Sequence, residues 1–165
     1  MSFVIYLMTR SGIGYDIHRL SQNRKLILGG VEIPYLLGLD GHSDADVLSH
    51  AIADALLGAI CAGDIGQHFP DTDQSIRGIS SMDILKRVAE ILAEKKSRLV
   101  NVDATVVAEA PKLAPHVSAM RKKIADALGV SDSQISIKAT TNERLGPIGR
   151  GEGIAATAIA TVEQD

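Results

Sequence analysis

The 165-residue sequence predicts a single α+β domain, built as a mixed β-sheet with helices packed on one face. Segments of strand-like and helix-like apolar spacing alternate along the chain, with neither repeats nor low-complexity linkers between them. Residues 99–140 read as strand, helix, strand, which implies a right-handed crossover between parallel strands. The run from Ala155 to Val162 is small and apolar, as suits a strand packed against another subunit, so an oligomer is expected through the sheet face that the helices leave bare.

In chain order, strands are expected over residues 13–17 and 26–33, the second passing through Gly29-Gly30 with a bulge or a close backbone approach and stopping at Pro34. From Asp46 to Ile60, apolar residues recur at helical spacing, and Ser43 followed by Asp46 resembles a capping box. A second helix fits residues 81–96 through Ile84, Leu85, Val88, Ile91 and Leu92. A third runs from about Pro115 to Leu128, with Gly129 as its stop. Strands over 99–108, 135–140 and 154–162 complete the sheet, and the glycine-rich stretch 146–153 reads as a hairpin or bulged turn.

Residues 12–165 form the predicted domain, and residues 1–11 read as an N-terminal extension or first-strand leader. Phe3 to Met8 is apolar, yet too short to span a membrane and without the flanks of an export signal. A composition that is 45% hydrophobic supplies one proper core. The net charge of −3 comes from interspersed acids and bases with no basic stripe, which speaks against a nucleic-acid partner and for a small anionic ligand held by local donors. The single cysteine, Cys61, sits in an apolar run where it is expected to pack as a small hydrophobe. A reducing compartment follows, the cytoplasm or, for a processed mature chain, the plastid stroma.

Asp16, His18, His42 and His50 crowd one short region, which points to a metal-centred active site. A carboxylate with imidazoles suits zinc, and three protein ligands leave an open position for substrate or water, whereas a closed thiolate cage cannot be built from one cysteine. Asp46, His50 and Asp54 are spaced to share one helix face, so His50 can reach a metal while a neighbouring carboxylate orients its ring. Asp16 and His18, two apart on an extended segment, point to the same side of it. His42 and Ser43 are expected to open the metal helix, where free backbone donors attract phosphate. His68 and His116 lack such company and read as loop or surface residues.

Several motifs, in order, resemble the 2-C-methyl-D-erythritol 2,4-cyclodiphosphate synthase family from Gly12 to Val162. They are Gly12-Ile13-Gly14-Tyr15-Asp16-Ile17-His18, His42-Ser43-Asp44-Ala45-Asp46 with His50, and Asp54-Ala55-Leu56-Leu57-Gly58. Gly63-Asp64-Ile65-Gly66, Phe69-Pro70-Asp71-Thr72-Asp73 and Ala110-Pro111-Lys112 follow, then Lys138-Ala139-Thr140-Thr141-Asn142-Glu143 and Gly149-Arg150-Gly151-Glu152-Gly153. The resemblance implies attack by the 2-phosphate of a CDP-linked methylerythritol substrate on its own β-phosphorus, closing a cyclodiphosphate and expelling CMP in the non-mevalonate isoprenoid route. Nucleophile and leaving group are both phosphates already ionised at neutral pH, so positioning and charge neutralisation carry the chemistry and no strong general base is needed.

By the same resemblance zinc sits on Asp16, His18 and His50, and magnesium or manganese on Glu143, bridging the α- and β-phosphates. His42 and Thr141 match the transition-state stabilisers. Substrate contacts fall on Asp16, Ile17 and His18, and on His42 and Ser43, which would hold the attacking 2-phosphate. Asp64, Ile65, Gly66 and the lid-like loop Phe69, Pro70, Asp71, Thr72 and Asp73 would serve the methylerythritol hydroxyls. Ala108, Glu109, Ala110, Pro111, Lys112, Leu113 and Ala114 would form a cytosine pocket largely from backbone groups. Thr140, Thr141, Asn142 and Glu143 would converge on the diphosphate, and Arg150 would contact phosphate or line a trimer axis. The family is a homotrimer with active sites shared between neighbouring chains. Pro147 departs from its pattern, standing where many members carry an aromatic residue near a central apolar cavity, which speaks against a role as an isoprenoid-diphosphate sensor. A phosphohydrolase could use the same ligands, with an open product in place of a cyclic one.

Overall fold

The computed structural model describes residues 8–70, 72, 74 and 78–164. Strand β1 (Met8–Ser21) extends well beyond residues 13–17, because it pairs antiparallel along almost its whole length with the last strand (Gly153–Gln164), from Met8 opposite Gln164 to Arg19 opposite Gly153. Residues 8–11, read from the sequence as part of an N-terminal extension or first-strand leader, extend this strand. The short strands β2 (Leu26–Leu28), β3 (Val31–Ile33) and β4 (Gly38–Leu39) follow, then helices α1 (Val47–Ala59), α2 (Ile65–His68) and α3 (Ser81–Glu94). Strand β5 (Ser97–Val107), helix α4 (Val117–Leu128), strand β6 (Ile135–Thr140), the single turn α5 (Gly146–Gly149) and β7, the last strand, complete the chain. The main sheet has the order β4-β1-β7-β5-β6; β5 and β6 are parallel, joined through α4, and the other pairs are antiparallel. The expected mixed sheet and crossover are both present.

Alternation along β1 sorts its residues between two environments. Odd-numbered positions from Thr9 to Arg19 are exposed; even-numbered ones from Arg10 onward are covered, the central ones by α1. Gly12 and Gly14 make the approach possible: a Cβ on Gly12 would stand 2.1 Å from the Ala55 carbonyl oxygen, and one on Gly14 1.9 Å from that of Ala51. Beside them Ala156, Ala158, Ala160 and Val162 of β7 are wholly buried, so the helix meets a surface of small side chains. Helix α1 is buried nearly all round because α3 packs on it from the side away from the sheet, and α3 also packs on α4. On the opposite sheet face Ile13 is 69% exposed and Ile159, its register partner, 49%, with Tyr15 and Ile17 exposed beside them.

The expected strand over 26–33 is instead a hairpin, β2 turning into β3 at Gly29 and Gly30, which have φ of 55° and 70°. Two successive positive φ values make the two-residue hairpin turn that glycine pairs favour, and apolar spacing does not register such a turn. The turn also explains Asp46. Its carboxylate accepts from Gly29 N at 2.9 Å, Gly30 N at 2.7 Å, Ser49 N at 3.1 Å and Ser49 Oγ at 2.8 Å. Asp46 is therefore the N-cap of α1, and the Ser43 capping box does not form; Ser43 Oγ accepts from Ala45 N at 3.0 Å instead. Asp46 is fully buried, and burial raises its carboxyl pKa while the hydrogen bonds from Gly30, Gly29 and Ser49 oppose that rise. Replacing Asp46 with Ala removes a cap and strands three backbone donors, a loss of about 3 kcal/mol. Thermal unfolding of D46A should show a midpoint lower by roughly 6–12 °C; an unchanged midpoint would refute the clamp.

Two other expectations are corrected. The stretch 146–153 opens with a helical turn, α5, Pro147 fitting its first positions, and returns to the sheet at Gly153. Cys61 is exposed, two residues past the end of α1, where its sulfur accepts from Arg10 Nη2 at 2.8 Å. No helix among the described residues is long and apolar enough to cross a membrane.

Candidate metal centre and active site

Strand β1 and helix α1 bring the predicted ligands together. Asp16 and His18 lie opposite Ala156 and Ile154 of β7, on the helix-facing side of the strand, and His50 lies one turn into α1. Asp16 Oδ2 stands 3.0 Å from His18 Nε2 and 2.9 Å from His50 Nδ1, and the three ligand atoms lie within 4.8 Å of one another. Asp16 Oδ1 is occupied by the amide of Ile17 at 2.8 Å, which leaves Oδ2 for the cluster.

The far side of the His18 ring determines what its near side presents. His18 Nδ1 is 2.6 Å from the Asp40 carbonyl oxygen, which only accepts, so Nδ1 carries the hydrogen and neutral His18 turns an Nε2 lone pair toward Asp16. His50 Nε2 lies 3.0 Å from Ser81 Oγ and 3.2 Å from Ser43 Oγ. One carboxylate oxygen and two imidazole nitrogens, half-buried and convergent, form a donor set that fits a divalent cation.

Burial alone would raise the Asp16 carboxyl pKa, but hydrogen bonds from His18 and His50, with their charge, outweigh it and hold the group well below the usual carboxylate range. The bond to Asp16 raises His18, burial opposes the rise, and the charge of Asp16 and the Asp40 carbonyl add to it. In the metal-free protein the His18 contribution to stability is therefore complete below the ordinary histidine value of 6.5 and is lost as pH climbs through the raised folded value. The Asp16 contribution is present above the ordinary carboxylate value of 3.8 and is lost as pH falls toward the lowered one. A divalent cation competes with the proton on His18. Added zinc should accordingly raise the unfolding midpoint more at pH 8 than at pH 6 in calorimetric scans, and an equal gain at both would count against the site.

The three acidic and imidazole groups on the α1 face part company. Asp46 turns to the hairpin, so it does not orient the His50 ring, which is held by Asp16 and the two serine hydroxyls. Asp54 accepts from the amide of Ile65 at 2.8 Å and so anchors the start of α2; burial raises its pKa against that hydrogen bond, with the charges of Asp64 and Asp16 adding. Asp64 caps α2 by accepting from Gln67 N at 3.0 Å, with Gly66 inside the turn and Phe69 at its end. Pro70 and Thr72 follow, the latter exposed, while Asp71 and Asp73 lie outside the described residues.

His42 and Ser43 lie five and four residues before Val47 and do not themselves open the helix; Asp46 accepts from the first-turn amide of Ser49. The segment holding them is pinned by Arg24, whose guanidinium donates to the carbonyls of Leu39, Gly41 and Ser43 at 3.0 Å each. On the other side of the sheet, Thr141 Oγ1 donates to Glu143 Oε1 at 2.8 Å just beyond the end of β6. Glu109 Oε1 accepts from Asn142 N at 3.0 Å and Arg144 N at 3.1 Å, which ties the 108–114 segment to that loop. Arg150 Nε donates to Glu152 at 2.7 Å. His68 Nε2 meets the Ala62 carbonyl at the end of α2, and His116 sits in a one-turn 3-10 helix before α4. Sequence reasoning missed Arg24, Asp40 and Ser81, which act through backbone carbonyls or a single hydroxyl across long chain separations and leave no spacing signal.

The YgbB family model matches residues 9–163. A curated protein of Thiobacillus denitrificans, 2-C-methyl-D-erythritol 2,4-cyclodiphosphate synthase, is 60% identical over 155 residues, covering 94% of this chain and 97% of that protein. The bifunctional IspDF structure from Campylobacter jejuni superposes with a TM-score of 0.93 at 41% identity, over 97% of this chain, which spans 43% of that longer one. The IspF structure of Plasmodium falciparum, a CDP complex, superposes with a TM-score of 0.84 at 34% identity, over 98% of this chain and 99% of that one. In sequence and in fold alike, this chain belongs to the YgbB family, that of the 2-C-methyl-D-erythritol 2,4-cyclodiphosphate synthases.

Proposed function

We propose that this protein converts 4-diphosphocytidyl-2-C-methyl-D-erythritol 2-phosphate to 2-C-methyl-D-erythritol 2,4-cyclodiphosphate and CMP, a phosphorus-oxygen lyase step of the non-mevalonate isoprenoid pathway. The observation that carries the reading is the convergence of Asp16, His18 and His50 on one point, in a chain 60% identical to a curated synthase of that name. The CDP bound in the Plasmodium falciparum structure supports a CDP-linked substrate here.

Asp16, His18 and His50 would hold zinc, and Glu143 magnesium or manganese, which supply Lewis acidity and charge neutralisation at the diphosphate. The protein's own groups do the positioning. His42 and Ser43, on the segment pinned by Arg24, hold the attacking 2-phosphate, with Ile17 beside them. The acidic and backbone groups from Asp64 to Asp73 receive the methylerythritol hydroxyls, which donate well to carboxylates. Residues 108–114 seat cytosine, and the loop from Thr140 to Glu143, tied to them by Glu109, carries the Thr141 hydroxyl to the diphosphate, with Arg150 at the same end of the sheet.

Strand register supports a site shared between chains. Asp16 aligns with Ala156, Ala156 with Val106, and Val106 with Ala139, so three strand spacings, ~14 Å, separate the backbone of the triad from that of β6. The exposed apolar face of Ile13, Tyr15, Ile17 and Ile159 supports a homotrimer that sets the triad of one chain beside the nucleotide loops of the next. A cytoplasmic location is proposed from the bacterial relatives.

Incubation of the purified protein with the CDP-linked substrate, zinc and magnesium tests the reading. CMP should appear together with a cyclic diphosphate in the phosphorus NMR spectrum. An open product would make the protein a hydrolase, and no CMP at all would refute the assignment.

A further inference from the structure

We infer that Asp44 and Ser81 form a positioning pair that fixes the tautomer of His50 and so aims its Nδ1 lone pair at the metal position, an inference that rests on reading Asp16, His18 and His50 as ligands. Ser81 is the first residue of α3 and is fully buried. Its amide donates to Asp44 Oδ2 at 2.8 Å, and its hydroxyl donates to Asp44 Oδ1. An ionised carboxylate only accepts, and at the start of α3 the helix dipole favours its negative charge.

A hydroxyl has one hydrogen, and this one is committed to Asp44. Toward His50 Nε2, 3.0 Å away, Ser81 Oγ therefore presents a lone pair, and Nε2 carries the ring hydrogen. His50 Nδ1 is thereby the nitrogen turned to a cation, as His18 Nε2 is by virtue of the Asp40 carbonyl; before a cation binds, Asp16 Oδ2 at 2.9 Å, which also only accepts, competes with Ser81 Oγ for the ring hydrogen. Ser43 Oγ, 3.2 Å from the same Nε2, already accepts from Ala45 N, so its own hydrogen remains for an acceptor such as a phosphate oxygen. The other carboxylates of the α1 face are unsuited to this role, Asp46 being taken up by the hairpin turn and Asp54 by the Ile65 amide.

The test uses metal-free full-length protein carrying 15N-labelled histidine at pH 8, with zinc alone as the probe. Long-range proton–nitrogen spectra should show the Nε2–H form of His50 more populated in the wild type than in variants that break the pair. In D44N and S81A the acceptor-only partner or the hydroxyl is gone; the Nδ1–H form should appear and zinc affinity, measured by chelator competition, should fall roughly 10–100-fold. S81T, which keeps the hydroxyl, should keep both. Circular dichroism identifies folded variants, and D44N, the isosteric change, decides if S81A does not fold. A pair that merely anchored α3 would change stability and leave the tautomer populations alone, so unchanged tautomer populations and affinity in the folded variants overturn the inference. A wild type that binds no zinc refutes the metal reading itself, and the tautomers of wild type and D44N still decide the pair.

Discussion

Asp16→Asn should abolish turnover, lowering CMP release at least ~10³-fold, because it removes the one anionic member of the ligand set and with it several kcal/mol of metal-derived charge stabilisation. Asp16 Oδ2 is the atom both imidazoles face, at 3.0 and 2.9 Å. An amide in its place offers one neutral oxygen, and its NH₂ group would point a donor at the position a cation needs. The fold should survive: Asp16 lies on a strand paired along almost all of its length, and its neighbours in the core are unchanged. The measurement is turnover with zinc and magnesium supplied in excess, accompanied by metal analysis of the dialysed protein. Full activity in D16N, or undiminished zinc content, would remove the triad from the mechanism.

Gly14→Ala should be the most damaging change in the core, although it adds a single methyl group. Its Cβ would lie 1.9 Å from the Ala51 carbonyl oxygen and 2.8 Å from the Ala55 amide nitrogen, and both obstacles are helix backbone that no rotamer change moves aside. Helix α1 would have to lift from β1, opening a gap above Ala156 and Ala158 and drawing His50 away from Asp16. Overpacking of this kind costs about 3 kcal/mol or more, a drop of roughly 6–12 °C in the unfolding midpoint. Zinc affinity should fall with it. A G14A protein with wild-type stability would mean that the helix does not rest on the strand as closely as described.

What could be read from the sequence divides along physical lines. Helix α1 and strand β6 were legible almost residue for residue, α1 because apolar residues recur at helical spacing along its whole length and β6 because a short apolar run marks it. The crossover from β5 through α4 to β6 followed from the strand, helix, strand order read over residues 99–140, and β5 and β6 are parallel. The hairpin at Gly29-Gly30 was not legible, since the apolar pattern runs on through a turn that is defined by φ and not by hydropathy. Asp46 caps α1 through the amide of Ser49, and its carboxylate is also held by the two hairpin amides from seventeen and sixteen residues away, a contact no local window contains. The metal triad was visible through clustering of rare residue types, whereas Ser81 and Arg24 were not, because serines and arginines are common and their partners here are a distant carboxylate and three carbonyl oxygens.

One strand, β1, presents Asp16 and His18 to the helix on one side and Ile13, Tyr15 and Ile17 to the exterior on the other. With a side-chain period of two, inserting or deleting a single residue between Gly12 and His18 inverts everything beyond it, exposing the acid and imidazole and burying an aromatic under α1. This stretch can therefore drift by substitution at its outward positions but not in length, and random indel libraries of this chain should return no functional clones there while accepting them in the surface loops.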